Sequence, residues 1–331
     1  MIPLSSLSNS LNMAQQTLRV SQRLYCKMIN GKELAEKYLD KLKIEIRKWV
    51  EEGNRPPHLS VVVVEGNASS DAYIRMKCQK AEFVGITTDI SQIPQTTTEK
   101  ELLELVESLN KNSNTDGILV QLPLSPTINE RKVHKIISPE KDVDGFTADS
   151  LGNLCLNEPT FVPCTALAVH HILSNLGVPL IGKKAVVCSR AKHVGLPIAL
   201  ILHSSTRLGH DTEGLNMSTT ICHRHTPKED LIAFAKNADV LVTAVGQPNL
   251  IKSDMVKPGA IVIDVAFTEV VEGGERRVVG DVDTSEVQNV AGMLSPVPGG
   301  VGPLTIAMLM SNTFSAAKLL ALGRKKEYNR M

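Results

Sequence analysis

One turn of a predicted helix places an aromatic ring beside an amine. Tyr73 and Lys77 are four residues apart, so on a helix their side chains are neighbours on one face. A flat ring next to a lysine can stack on a heteroaromatic substrate and move a proton beside it. An ordinary surface pair has the same spacing, so the spacing alone leaves both interpretations open.

The elements around this pair predict a parallel sheet covered by helices. The predicted order is helix 31–51, strand 58–64, helix 73–84, strand 88–93, helix 99–110 and strand 117–121. Ligands of open parallel sheets collect beyond the carboxyl ends of the strands. We therefore expect Gln121, at such an end, to share a cleft with Tyr73 and Lys77.

Two further motifs lie downstream. In the segment 142–146 (DVDGF), Asp144 precedes a glycine, where a carboxylate can accept paired hydrogen bonds from an aminopyrimidine edge. Asp142 and Asp144 together are only a weak calcium signature, because no further oxygen-rich neighbours follow. In the segment 296–303 (PVPGGVGP), two glycines between prolines let the backbone approach a flat ligand, although a rigid turn would have the same sequence.

Together with Gln121-Leu122-Pro123-Leu124, these motifs resemble the bifunctional methylenetetrahydrofolate dehydrogenase/cyclohydrolase family, in the family's order, from about Lys27 to Leu322. The resemblance implies proton transfer by Lys77, stacking of the folate on Tyr73 and positioning of Lys77 by Gln121. An electrostatic role for Lys77, holding an oxyanion or activating water, remains an alternative. The resemblance also places Asp144 on the pterin ring. The remaining implied substrate contacts are Ser70, Leu122, Pro123, Pro298, Gly299 and Gly300; Ser70 could equally cap the helix.

Length and composition limit the alternatives. A chain of 331 residues exceeds the usual single-domain size, and a formal net charge of +1 provides no basic field for nucleic acid. We expect no membrane span, because we find no apolar run that approaches about 20 residues. Six scattered cysteines without a C-x-x-C spacing argue against a disulfide framework or a structural zinc site.

The N-terminal segment has the composition of a targeting sequence. The first 32 residues contain no Asp or Glu but include two arginines and two lysines among many serines, asparagines and leucines. This pattern fits a mitochondrial transit peptide, assigned here to residues 1–24, although a disordered N-terminus would also fit.

A second α/β unit is predicted after Gly182. Its elements are strand 185–188, helix 194–202, strand 218–222, helix 227–236, strand 240–244 and strand 260–265, followed by a last helix 305–322. Thr226 is the expected cap of the helix that begins at Pro227. With the resemblance, we predict two α/β domains separated by a folate cleft: a folate-binding domain of residues 25–170 plus 304–331, and a Rossmann-like dinucleotide-binding domain of residues 171–303.

The expected glycine-rich nucleotide fingerprint is incomplete. Residues 188–197 (CSRAKHVGLP) resemble the family's Gly-Arg-Ser-x-x-Val-Gly-x-Pro, with Ser189 at the glycine position and Ala191 at the serine position. A Cβ at Ser189 could crowd a pyrophosphate, and Ala191 lacks a hydroxyl donor. Ala266-Phe267-Thr268 also replaces the family's usual Gly-Ile-Asn. The implied cofactor-binding residues are Ser189, Arg190, Ala191, Val194, Gly195, Arg224, Val245, Gly246, Val265 and Gly299.

The choice of dinucleotide is left open by the residues alone. The strand 218–222 is followed by Arg224 without an acidic residue, which favours the 2′-phosphate of NADP. The resemblance is to the mitochondrial branch, which implies instead that Arg190 and Arg224 hold free inorganic phosphate, with Mg²⁺, so that NAD binds. Asn216 stands where that branch has an aspartate, and a neutral amide is a weaker magnesium ligand than a carboxylate. Asp211 or Glu213 could substitute for it.

Three functions were compared. The first is oxidation of 5,10-methylenetetrahydrofolate to the methenyl compound with NAD(P), followed by hydrolysis to 10-formyltetrahydrofolate. The second is a folate-binding paralogue with an impaired dinucleotide site, suggested by Ser189, Ala191 and Ala266. The third, an unrelated dehydrogenase of small acids, leaves the Tyr73 and Lys77 pair unexplained. The resemblance also implies a homodimer formed through the second domain.

Overall fold

A computed structural model describes residues 26–65, 68–205, 207–208, 212–272 and 275–328. The segment predicted to be a transit peptide lies outside these residues. The first part of the chain alternates strands and helices, with these bounds: β1 Lys27–Met28, α1 Gly31–Glu51, β2 His58–Val64, α2 Ala68–Val84, β3 Thr87–Ile93, α3 Glu99–Lys111 and β4 Gly117–Val120. Strands β3, β2 and β4 form a three-stranded sheet in that order. The sheet is parallel, as predicted.

Local capping explains where two of these helices begin. The side chain of Asn30 accepts a hydrogen bond from the Glu33 backbone N–H at the start of α1. Thr98 and Glu101 form a reciprocal capping box at the start of α3. Both helices turn an apolar stripe towards the sheet, and β2 is almost entirely buried because helices cover its sheet.

Shorter elements connect the two units: α4 Glu130–Ile136, a 3-10 turn at Pro139–Lys141, α5 Ala148–Leu156 and α6 Cys164–Ser174. The second unit then contains β5 Lys184–Cys188, α7 Gly195–His203, β6 Arg207–Leu208, β7 Thr212–Glu213, β8 Ser218–Cys222, α8 Lys228–Asn237, β9 Val240–Thr243, a 3-10 turn at Ser253–Met255, β10 Ile261–Asp264, β11 Thr268–Glu272, β12 Glu275–Val279, α9 Thr284–Val287 and β13 Met293–Ser295. A long helix, α10 Val301–Tyr328, follows.

The second sheet is six-stranded and parallel, in the order β1-β13-β10-β9-β5-β8. This arrangement confirms the predicted second α/β unit. Its edge strand β1 comes from the beginning of the chain, where Lys27 and Met28 pair with Met293 and Leu294. The chain therefore contributes a strand to the second sheet before it forms the first sheet. In the predicted division, residues 27 and 28 belonged to the folate-binding domain instead.

Several elements were not predicted, among them β1, β6, β7, β13 and α4–α6, and one predicted cap differs. The antiparallel hairpin of β11 and β12 follows β10, where no strands were predicted. Thr226 does not cap α8: its Oγ1 accepts the backbone N–H of His223 at 2.9 Å, and Pro227 occupies the cap position without a side-chain hydrogen bond. The hydroxyl stabilises the preceding turn instead.

The last helix packs back against the first unit and the connecting helix α6, as predicted. By length and composition, residues Val301–Gly323 of α10 could cross a membrane, contrary to our expectation that no such run exists. Within this structure α10 packs against α6 and α1, and its residues Leu304, Ala307, Leu309 and Met310 are completely or almost completely buried. Its apolar character is therefore explained by its position as a core helix.

Candidate active site

Lys77 is the centre of a buried group of side chains in the middle of α2. Its side chain is only 6% exposed, and its Nζ donates a hydrogen bond to Gln121 Oε1 at 2.8 Å. The Nζ also lies 4.8 Å from the centre of the Tyr73 ring, close enough for a cation–π contact. The Gln121 amide is fixed in turn, because its Nε2 donates to the Leu122 carbonyl at 2.8 Å. The three residues predicted to converge are thus in contact.

Asp144 adds a carboxylate to this group. Burial raises the pKa of Asp144 to about 6; Lys77 opposes this rise and Asp142 reinforces it. Burial lowers the pKa of Lys77, while Asp144 and Cys164 oppose that change. Both shifts favour neutral forms, so a larger fraction of Lys77 is deprotonated near neutral pH than for an exposed lysine. A lysine in this environment can accept a proton.

Asp142 is structural, which excludes the weak calcium interpretation of this carboxylate pair. Its carboxylate accepts the backbone N–H groups of Gly145, Phe146 and Thr147 and the hydroxyl of Ser150, at 2.7–3.1 Å. A carboxylate with this many donors has little left for a cation. By contrast, the Asp144 carboxylate makes no hydrogen bond with any of the residues that the structure describes. Asp142 therefore holds a loop that presents Asp144 for a ligand.

A polar residue in the last helix supports the same loop. Asn312 on α10 donates through Nδ2 to the carbonyls of Val143 at 2.8 Å and Val162 at 3.1 Å. The thiol of Cys164 donates to the same Val143 carbonyl at 3.3 Å. Our sequence analysis missed both residues. A buried asparagine in an otherwise apolar helix was the available signal, but its partners lie about 150 residues earlier in the chain.

A cleft of about 420 Å³ lies between the two units. Tyr73 and Lys80 on α2 line one side, and Val265 and Phe267 after β10 line the other. The whole segment 296–303 borders it, including the predicted contacts Pro298, Gly299 and Gly300. Gly299 has φ +100°, a conformation that favours glycine. Lys32, Glu36 and the exposed Phe267 were not predicted to line this cleft.

Other predicted substrate contacts lie elsewhere. Leu122 and Pro123 follow Gln121 and are not among the residues that line the cleft, although Leu122 orients the Gln121 amide. Ser70 lies in the first turn of α2, and its side chain is outside the part of the chain that the structure describes. Their contact with a substrate stays a prediction.

The dinucleotide region lies where the order of the second sheet reverses. From β5 the chain continues to the edge strand β8 on one side, whereas β9 lies on the other side of β5. Ligands of doubly wound sheets bind at the carboxyl ends of the strands at such a switch point. Arg190 and Ala191, just after β5, and Val245 and Gly246, just after β9, are exposed at this point. Their positions fit a dinucleotide.

Ser189 does not obstruct this crevice. It is buried, and its hydroxyl accepts the Ala191 backbone N–H at 3.3 Å. Its Cβ lies against the start of α7, where a Cβ added to Gly195 would come within 2.5 Å of it. The predicted Val194 and Gly195 therefore form a close strand-to-helix turn, in which Gly195 cannot carry a side chain. The expected crowding by Ser189 is not observed in the geometry.

A buried carboxylate fixes the second half of the crevice. Asp281 accepts the backbone N–H groups of Val245, Gly246 and Gln247 at 2.7–2.9 Å, and the hydroxyl of Thr243 at 2.7 Å. Gly246 has φ +79° within this loop. Asp281 was missed by the sequence analysis, because it lies 34–38 residues beyond its partners. It also faces Asp264, whose pKa is raised to about 7, mainly by burial.

The two arginines lie together, and Asn216 lies away from them. Cys188 and Cys222 are paired in register on β5 and β8, so Arg190 and Arg224 each follow two residues beyond the same edge. Asn216 precedes β8 instead, which alone spans about 13 Å. Its Nδ2 donates to the Gly214 carbonyl at 3.3 Å. Asn216 is therefore at the wrong end of the strand to ligate Mg²⁺ next to an anion held by the arginines.

The described side chains include no group of three His, Cys, Asp or Glu residues that could hold a metal ion. Asp211 lies outside the described residues, and a Mg²⁺ site in this segment stays a prediction.

Comparison with known proteins identifies both units. The model for the tetrahydrofolate dehydrogenase/cyclohydrolase catalytic domain matches residues 29–144, and that for the NAD(P)-binding domain of the same family matches residues 163–321. A mitochondrial bifunctional methylenetetrahydrofolate dehydrogenase/cyclohydrolase from Gallus gallus is 45% identical over 88% of this chain and 87% of its own length.

Two solved structures extend the similarity to the fold. A 5,10-methylenetetrahydrofolate dehydrogenase from the silkworm Bombyx mori matches with a TM-score of 0.84 and 47% identity, over 89% of this chain and 99% of that one. A Trypanosoma brucei methylenetetrahydrofolate dehydrogenase-cyclohydrolase, in complex with NADP and an inhibitor, matches with a TM-score of 0.82 and 33% identity, over 88% of this chain and 97% of that one.

Proposed function

The chain belongs to the tetrahydrofolate dehydrogenase/cyclohydrolase family, and from this membership we propose that it catalyses two consecutive reactions. It oxidises 5,10-methylenetetrahydrofolate to 5,10-methenyltetrahydrofolate with a nicotinamide dinucleotide, and it hydrolyses the product to 10-formyltetrahydrofolate. The observation that carries this proposal is a single cleft with Tyr73, next to Lys77, on one side and the dinucleotide-binding unit on the other.

Lys77 is the group that serves hydrolysis. Water adds to the methenyl carbon and loses one proton, which gives a neutral carbinolamine. The remaining hydroxyl proton then passes to N5 as the bond from that carbon to N5 breaks, so that N5 becomes an amine N–H and the formyl group stays on N10. The partly neutral Lys77 accepts the proton from water, and Gln121 holds its Nζ in place. An electrostatic role of charged Lys77, stabilising the oxygen anion that develops, is the alternative for this residue.

Tyr73 and Asp144 orient the folate. The Tyr73 ring lines the cleft and offers a flat face for the pterin. The Asp144 carboxylate, without a hydrogen-bond partner among the described residues, accepts hydrogen bonds from the aminopyrimidine edge. Its pKa of about 6 leaves it mainly ionised at neutral pH. Ser70, Leu122 and Pro123 complete the proposed folate contacts.

A dinucleotide would bind across the switch point of the second sheet, and its nicotinamide would supply the acceptor for the hydride of the methylene carbon. Ser189, Arg190, Ala191, Val194 and Gly195, in the turn at the start of α7, would hold its pyrophosphate. On the other side of the crevice lie the proposed contacts Val245, Gly246, Val265 and Gly299. Since Val265 and Gly299 also line the cleft, this arrangement brings the nicotinamide to the folate.

NAD is the proposed coenzyme. Arg190 and Arg224 are exposed at one edge of the sheet and form no ion pair with the residues described by the structure. Inorganic phosphate between them would neutralise their charges beside an unphosphorylated ribose. NADP would place its own 2′-phosphate at the same position. The proposed Mg²⁺ effect is small, because Asn216 lies at the other end of β8.

We further propose a mitochondrial homodimer. The N-terminal composition and the mitochondrial relative from Gallus gallus support this location. A dimer through the second unit, without nucleic-acid or membrane partners, agrees with the near-zero net charge and with the burial of α10. Fusion of residues 1–25 to a fluorescent protein tests the location, and sedimentation tests the dimer. Cytosolic fluorescence or a monomer would refute the respective proposal.

The function is tested by incubating the protein with 5,10-methylenetetrahydrofolate and either NAD or NADP. Reduced nicotinamide and 10-formyltetrahydrofolate are measured together. We expect both products in equal amounts once methenyltetrahydrofolate has been consumed. Folate binding without reduced nicotinamide from either coenzyme would indicate the impaired paralogue, which no relative described above supports.

A further inference from the structure

A buried histidine, His134, and a half-buried one, His193, connect the dinucleotide turn to the folate loop. His193 lies in the turn between β5 and α7, and its ring centre is 4.4 Å from that of Phe146. His134 on α4 lies 5.1 Å from His193 and 5.6 Å from Phe146. Phe146 is part of the loop that Asp142 holds, through a backbone hydrogen bond of 3.1 Å. Rings at these separations are in contact.

The contact forms a continuous path between the two proposed ligands. Ala191, at the pyrophosphate turn, accepts the backbone N–H groups of Val194 and Leu196, which fixes the backbone on both sides of His193. Phe146 is two residues from Asp144 on the other side. The helices that follow the two loops, α5 and α7, also pack together. Movement of one loop therefore changes the packing of the other.

The polar atoms of this cluster are unusual. His134 Nε2 and His193 Nδ1 are both buried and have no hydrogen-bond partner within the described part of the chain. A buried nitrogen without a hydrogen-bond partner lowers the stability of the folded state, so this arrangement is unfavourable for folding alone. The charged groups that act on the pair are Glu130 and Asp142, which favour protonation, and Lys192, which opposes it at His193.

We propose that Phe146, His134 and His193 form a coupling cluster through which each ligand, dinucleotide and folate, tightens the binding of the other while both histidines are neutral. This inference rests on the proposed function, because it needs both ligands. Burial and mutual repulsion lower the pKa of His134, and burial lowers that of His193, so both are neutral at pH 7.5. Protonation at acidic pH inserts a charge between the rings and uncouples the loops.

The test measures the affinity for tetrahydrofolate by calorimetry, with and without saturating NAD, and with NADP in a parallel series. Tetrahydrofolate lacks the methylene carbon, so no turnover occurs. For the wild type at pH 7.5 we expect the dinucleotide to improve folate affinity about fivefold or more, within the usual range of coupling between sites. When the pH is lowered in steps to a second value of about 4.5, the ratio should fall towards one.

Variants separate the cluster from other titrating groups. His193→Ala should abolish coupling at both pH values, whereas the double variant His134→Phe/His193→Phe, which keeps rings but cannot be protonated, should retain it at both. Asp144 still titrates in the double variant, so its folate affinity can depend on pH. This dependence acts equally with and without dinucleotide and therefore cancels in the ratio. His171→Phe is the matched control, because His171 also has a pKa lowered by burial but contacts Tyr38 instead.

Hydrolysis of methenyltetrahydrofolate without dinucleotide should stay within twofold of wild type in all three variants. A wild-type ratio near one at pH 7.5, or unchanged coupling in His193→Ala, would overturn the inference. If the double variant fails to fold, the wild-type pH series and His193→Ala still test whether the cluster couples the two ligands. Absence of tetrahydrofolate binding in the wild type would instead refute the proposed function.

Discussion

The two sides of the cleft are built by different means. On the folate side, side chains contact one another: Lys77 bonds to Gln121 and lies against Tyr73. On the dinucleotide side, the proposed site consists mainly of backbone at the ends of β5 and β9. Each side contains one buried carboxylate that holds a loop, Asp142 and Asp281 respectively. Residue identity should therefore matter more on the folate side, and loop shape more on the dinucleotide side.

The largest expected effect is that of Lys77→Met on hydrolysis. The change keeps the aliphatic stem but removes the amine, so the rate should fall by about 10²–10⁴, the usual contribution of acid–base participation. Dinucleotide affinity should not change. Arg75→Met, on an exposed face of the same helix, is the control. A rate of hydrolysis within threefold of wild type, in a folded variant, would remove Lys77 from the mechanism.

Replacing each of the two loop carboxylates by an amide tests whether the two sides of the cleft bind their ligands independently. Asp142→Asn and Asp281→Asn each leave backbone N–H groups without an acceptor, at a cost of about 1–3 kcal/mol. Asp142→Asn should weaken folate binding with little change in dinucleotide binding, and Asp281→Asn should do the reverse. Calorimetry with each ligand measures both. Equal losses of both ligands in either variant would show that the loops are not separate functional units.

Asp144 links folate affinity to the titration of Lys77. Asp144→Asn should weaken folate binding by about 10–100-fold, because the aminopyrimidine edge loses an ionised acceptor. The Asp144 carboxylate raises the pKa of Lys77, so its removal lowers that pKa further. If neutral Lys77 is the base, the rise of the hydrolysis rate with pH moves to lower pH in this variant. A rate that falls as Lys77 becomes neutral would support the electrostatic role.

Phosphate should have a smaller effect, on the dinucleotide side only. At low fixed NAD, added inorganic phosphate should raise the dehydrogenase rate a few-fold, because the anion neutralises Arg190 and Arg224. Arg224→Ala should remove that rise, and NADP should compete with phosphate. Added Mg²⁺ should have little further effect. An activity that ignores phosphate, or that occurs with NADP alone, would contradict the choice of NAD.

The sequence was sufficient for the main strands and helices of both sheets and for the contact at the centre of the proposed folate site. Helix and strand periodicity predicted both parallel sheets, and the spacing of Tyr73 and Lys77 placed them together. Groups that act through long-range contacts were not predictable: Asn312 reaches Val143 across 169 residues, and no local pattern contains that pairing. The same holds for β1, a two-residue strand whose partner β13 comes near the end of the chain.

Predictions from residue identity were weakest on the dinucleotide side. Ser189 and Ala191 departed from the expected motif and suggested an impaired site. In the folded chain, Ser189 points against Gly195 and bonds to the Ala191 backbone, so its side chain stays out of the crevice. A motif defined by residue types describes such a site less well than the backbone geometry does.

The claim that backbone shape carries the dinucleotide site is tested by restoring the family's residues. In the double variant Ser189→Gly/Ala191→Ser, we expect the affinity for NAD, measured by calorimetry, to stay within about threefold of wild type. The buried Ser189 side chain already leaves the crevice open, and the hydroxyl introduced at position 191 adds one exposed hydrogen bond at most. A gain of tenfold or more, or dehydrogenase activity that appears only in the variant, would contradict this account.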